Sequence, residues 1–138
     1  MKRKNKLTIL FGLIVVTFAV IATSLYVSSN KDSETISELQ TVDTKTLTKM
    51  IDSKKNMVIV DLREPELFAT SRVPGAINIP FDEIQSRYTE LPKDKDVIFV
   101  CHTGRMGTES GNLLLENGYK NVFNLEGGIA EWTGNLEK

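Results

Sequence analysis

The stretch VIFV at 97–100 is four apolar residues in a row, preceded by Asp96 and followed by Cys101, the chain's only cysteine. A strand with one wet face alternates apolar and polar residues, so an unbroken run reads as a strand covered on both sides. A second such run, MVIV at 57–60, ends on Asp61. Strands of this kind belong to parallel sheets, because the crossovers that join parallel strands lay helices over both faces.

The intervening segments carry the matching helical signals. Asp43 is suited to cap a helix running to about Asp52, with Leu47, Met50 and Ile51 on one face. Pro65 is placed to open a short turn in PELFA, and FDEIQSRY sets Phe81, Ile84 and Tyr88 on one stripe. GTESGNLLLENG reads as a helix ending at Gly118, with Leu113–Leu115 as packing surface, and GGIAEW as the start of a last helix with Trp132 in the core. LQTV at 39–42, Ala76–Ile79 after the Pro74–Gly75 turn, and NVFNL at 121–125 complete the strands. The predicted class is α/β: a central, mainly parallel five-stranded sheet with helices on both faces, in three layers.

The amino-terminal part is of another kind. From Leu7 to Asn30 the chain runs 24 residues without a charge, and Lys2, Arg3, Lys4 and Lys6 precede the run. Residues 7–27, at 1.5 Å per helical residue, match a hydrocarbon core of roughly 30 Å. The expectation is a membrane anchor within residues 1–30 and a linker over 31–38. The domain then spans 39–138 on the extracytoplasmic side of a single-pass membrane protein. The rival expectation is a cleaved signal peptide and a secreted domain. Of the 17 Lys and Arg, four lie in that segment; the other 13 face 18 Asp and Glu, a balance of −5. A mildly acidic domain offers no electrostatic footprint for nucleic acid, and a monomer is expected.

With a single cysteine, no disulfide can form within the chain. Cys101 and His102, adjacent in sequence, are the only soft metal ligands, so no metal site is expected. A disulfide to another chain, an inert buried thiol and a nucleophile remain as readings of Cys101. Its place favours the nucleophile: in open α/β sheets ligands bind at the carboxyl ends of the strands, and CHTGRMG follows such an end directly. Gly104 and Gly107 admit backbone conformations closed to other residues, so the loop over 101–106 can turn N–H groups inward as an anion nest. Such donors favour the thiolate, which is the attacking form. Thr103 lies in the same loop, and Arg105 adds a permanent positive charge. His102 is either a source of charge or proton relay for the loop, or a solvent-facing residue.

These stretches resemble the single-domain rhodaneses, the fold of the thiosulfate sulfurtransferases. VIVDLREPELFATSRVPGAINIP at 58–80, VIFVCHTGRMG at 97–107 and NVFNLEGGIAEW at 121–132 are similar to that family's three motifs, in its order. The resemblance implies that Cys101 takes a sulfane sulfur from a small-molecule donor, holds it as a persulfide and passes it to cyanide or a thiol, with no cofactor. It also implies that residues 102–107 (His102, Thr103, Gly104, Arg105, Met106, Gly107) surround the substrate. The family's loop has arginine five residues after the cysteine; here Met106 stands there and Arg105 precedes it. Either Arg105 substitutes in part, or the donor is a neutral persulfide. The related phosphatase loop needs arginine at the sixth position, where this chain has Gly107. A non-catalytic binding or redox-sensing module is the alternative function. Asp61 with Arg63 is expected to be a structural ion pair or cap, and Glu109 to suit the positive end of a helix.

Overall fold

The computed structural model describes residues 38–138. The expected anchor at 7–27 and the linker up to residue 37 lie outside the described residues. Among the described residues no helix is long and apolar enough to cross a membrane.

The strands β1 (Gln40–Val42), β2 (Met57–Asp61), β3 (Ile77–Asn78), β4 (Asp96–Val100) and β5 (Val122–Leu125) form one sheet in the order β1-β5-β4-β2-β3. Every pairing is parallel. The two unbroken apolar runs are the neighbours β2 and β4, in register with Ile59 opposite Ile98 and Val60 opposite Phe99. Strand alternation divides the core. Val60, Val97, Phe99 and Val122 pack with Ile84, Leu91 and Leu114 on one side. Ile59, Ile98, Val100 and Leu125 pack with Leu47 and Val73 on the other. Burial on both faces is what the unbroken runs required.

Local chemistry places the helices. Helix α1 (Thr44–Asp52) starts at Asp43, whose Oδ1 accepts from the Thr46 N–H at 2.6 Å. That bond also holds the Asp43 carboxyl below the usual carboxylate range. Helix α2 (Pro65–Thr70) has Pro65 in its first turn. Helix α4 (Arg105–Glu116) closes at Gly118, which takes φ +83°.

Two expected helices are shorter in the structure. Over 81–90 there is a four-residue helix α3 (Ile84–Arg87) followed by a 3-10 turn at Tyr88–Glu90. Pro92 forces Leu91 into extended backbone, φ −81° and ψ 137°, so the helix cannot continue. GGIAEW forms only a 3-10 turn, Gly128–Glu131. Gly128, the first residue of that turn, sits at φ +58°, which a right-handed α-helical residue cannot take, so no α-helix starts at the glycine pair. Trp132 therefore follows this turn, half-buried against the Leu47 side of the core, and its Nε1–H donates to the Asn135 carbonyl at 3.0 Å.

Candidate active site

Strand β4 is central in the sheet, and its alternation carries Cys101 to the same side as Val97 and Phe99. The thiol is buried, with 1% of the residue exposed. The chain turns back at once. Gly104 adopts φ +100° as the N-terminal cap of α4, and its N–H donates to Cys101 Sγ at 3.0 Å. A donor fixed on the sulfur stabilises negative charge there. The loop is thus 101–104, two residues shorter than the sequence suggested, and Arg105, Met106 and Gly107 are helical.

This changes what the two glycines do. Gly104 needs positive φ, as expected. Gly107 does not: it is a helical residue with no room for a side chain. A Cβ there would lie 2.0 Å from Asn124 Oδ1 and 3.3 Å from Phe99 Cβ.

The other loop residues divide. Met106 is half-buried against the cluster that contains Cys101. Arg105 is turned outward, its side chain 78% exposed and its Nη1 3.0 Å from Glu109 Oε1. Glu109 is thus the partner of that guanidinium, which is not committed to the thiol. Thr103 and His102 are exposed, and His102 Nε2 lies 3.3 Å from Glu64 Oε2. The Glu64 carboxyl is held below its ordinary range, first by its own backbone N–H and then by His102. Asp61 and Arg63 form the expected ion pair. Arg63 Nη2 reaches Asp61 Oδ2 and the Ser71 carbonyl, both at 2.7 Å, and the pair is buried. It ties the end of β2 to Ser71, the residue that closes α2, rather than to the thiol.

Three contributors were not singled out in the sequence. Glu64 is one. Asn124 is another: its Nδ2 donates to the Gly104 carbonyl at 2.8 Å and to Thr108 Oγ1 at 3.1 Å, anchoring the loop from β5. Its signal was legible, since a polar residue on the buried side of NVFNL must find a partner. The third is Gly127–Gly128. The turn they make lets Ile129 N–H donate to the Cys101 carbonyl at 2.7 Å and Ala130 N–H to the His102 carbonyl at 3.1 Å. No cluster of metal-ligating side chains occurs among the described residues.

Asn124→Asp is expected to loosen the loop and to do so in a pH-dependent way. The substitution sets an acceptor against the Gly104 carbonyl and costs about 3 kcal/mol or more when the new carboxylate is charged. Burial raises the pKa of that carboxyl in the folded state. The folded chain then binds a proton the unfolded chain has released, and stability falls as pH rises above about 4. Urea unfolding of variant and parent at pH 5 and pH 8 measures this, and equal deficits at both would refute it.

The architecture and the loop define a class: a three-layer α/β domain that presents one cysteine on a tight turn between the central strand and a helix. The family model for the rhodanese-like domain matches residues 43–135, and the chain belongs to the rhodanese-like family. An Allochromatium vinosum sulfurtransferase is 33% identical over 91 residues, covering 66% of this chain and 85% of its own length. A Bacillus subtilis (strain 168) protein, provisionally named sulfur carrier protein YrkF, is 30% identical over 105 residues, 76% of this chain. The match spans 57% of the length of that relative. The solved structure of a Staphylococcus aureus rhodanese-like domain protein superposes with a TM-score of 0.66 at 29% identity, covering 72% of this chain and 97% of that one. The names of these relatives make sulfur transfer a property at the level of the family.

Proposed function

We propose that the protein is a sulfurtransferase or persulfide carrier with Cys101 as its nucleophile. The observation that carries this reading is the Gly104 N–H held 3.0 Å from Cys101 Sγ at the end of the central strand. The Cys101 thiolate attacks the outer sulfur of a donor R–S–SH. The donor's S–S bond breaks, R–S⁻ leaves with the electron pair, and Cys101 holds the sulfur as a persulfide. An acceptor thiolate or cyanide then attacks that outer sulfur, and Cys101 leaves as thiolate. The Gly104 N–H faces charge on the cysteine sulfur at the start of the first step and the end of the second. The domain acts as a monomer outside the cytoplasm, held to the membrane by residues 7–27.

Burial of the thiol supports a second reading, a binding or redox-sensing module that carries no sulfur. Exposure of the full chain to thiosulfate and, separately, to an organic persulfide decides between them. The expected product is a chain one sulfur atom heavier, with the addition mapped by mass spectrometry to the Cys101 peptide and removed by cyanide. Failure of both donors to modify Cys101 would overturn the sulfurtransferase reading in favour of the module.

A further inference from the structure

Beside the active-site loop lies a cleft of about 290 Å³, lined by Leu62, Glu64, Pro80, Phe81, Asp82 and Met106. Leu62, Phe81 and Met106 also belong to, or pack on, the buried cluster that holds Cys101, so one apolar cluster walls the cleft and encloses the thiol. Glu64 connects the cleft to the loop through His102. Four of the six lining residues are apolar, and the two polar ones are carboxylic acids.

The cations that would reverse this charge are engaged elsewhere. Arg63 is buried on Asp61, and Arg105 points outward to Glu109. The lining thus offers an apolar floor and two carboxylates: Glu64, which it shares with the His102 ring, and Asp82, which forms no ion pair among the described residues. Its volume is at the lower end of small-molecule sites, enough for a compact ligand.

We propose that this cleft selects the sulfur partner of Cys101, and that the partner is a small organic thiol, or its persulfide, with an apolar stem and a positive group. This rests on the sulfur-transfer reading above. The stem lies on Leu62, Phe81 and Met106, the cation faces Glu64 and Asp82, and the sulfur is directed at Cys101. Met106 is suited to that wall, because an unbranched thioether adapts its shape to what packs on it. Anionic partners, thiosulfate among them, meet two carboxylates and no free guanidinium.

The test uses the full chain loaded with sulfur at Cys101 by inorganic polysulfide and freed of excess reagent. Cysteamine, 2-mercaptoethanol and 3-mercaptopropionate are similar in length and differ in charge. Each thiolate attacks the outer sulfur and leaves as R–S–SH, releasing Cys101 thiolate, and the loss of mass is followed in time at equal thiolate concentration. The same persulfide in the urea-unfolded chain gives the intrinsic order of the three thiols. Relative to that order, cysteamine is expected to outrun 3-mercaptopropionate about tenfold at low salt. In the Glu64→Gln/Asp82→Asn double variant the advantage is expected to disappear. Both residues are exposed, so the variant keeps the fold. No advantage over the unfolded chain, or one that survives in the double variant, would overturn the proposal while leaving sulfur transfer intact. A Cys101 that takes sulfur neither from polysulfide nor from an organic persulfide would overturn both.

Discussion

Cys101→Ser is expected to fold as the parent does and to lose sulfur transfer altogether. Serine keeps the shape of cysteine and an acceptor for the Gly104 N–H, which lies 3.0 Å from the sulfur. The site is buried at 1% exposure, so the Gly104 N–H keeps its acceptor, and the exchange costs a little packing and the burial of one hydroxyl: about 1–3 kcal/mol. Chemistry is another matter, because a hydroxyl cannot carry sulfur as a persulfide and is a far weaker nucleophile than a thiolate near neutral pH. Loss of a covalent nucleophile removes on the order of 10³-fold or more of the rate. Donor-to-cyanide turnover and urea unfolding of the two proteins measure both halves. Turnover by the serine variant within tenfold of the parent would place the chemistry elsewhere. Unfolding of the variant in buffer would mean that the Gly104 turn depends on the sulfur itself.

Much of this site was legible because strand burial is written in consecutive residues. VIFV could only be a strand covered on both faces, and its period of two decides which side Cys101 joins. Gly104 was legible only as a loop glycine open to positive φ: the sequence ran the loop to residue 106, and the structure ends it at Gly104. What the sequence withheld depends on contacts distant along the chain. Gly107 looks in sequence like a second loop glycine, and only the approach of Asn124, seventeen residues on, shows that it is a packing glycine. Arg105 looks in sequence like the positive charge of the site. One residue of register turns it outward, and Glu109, one helical turn later, is within reach to hold it. GGIAEW has the residues of a helix start, yet its glycines follow the needs of the loop they touch and not those of a helix.

That contact makes Gly128 the residue outside the loop on which the loop most depends. Gly128→Ala is expected to damage both stability and transfer. The residue sits at φ +58°, where a Cβ costs about 1–2 kcal/mol. The added carbon would also lie 2.4 Å from the Cys101 carbonyl oxygen and 2.7 Å from the His102 carbonyl carbon and oxygen. Those are backbone atoms of the loop, without the rotamer freedom that relieves a crowded side chain, and overpacking of this kind costs about 1–3 kcal/mol more. The sum, about 2–5 kcal/mol, is within the roughly 5–15 kcal/mol that holds a domain folded, so the variant is expected to survive at 25 °C and melt early. Relief requires the Cys101–His102 backbone to withdraw by about 1 Å, a displacement that costs on the order of 10²-fold when reacting atoms must meet. It also strains the bonds from Ile129 and Ala130 that fix the loop. Gly75→Ala is the control: it has a similar φ, +76°, and nothing within 4 Å of the added carbon. That variant is expected to lose about 1 kcal/mol and no transfer. Thermal unfolding and the rate of Cys101 sulfuration, measured on both variants, separate backbone strain from crowding. A Gly128→Ala protein that takes up sulfur within twofold of the parent would show that the turn does not position the thiol.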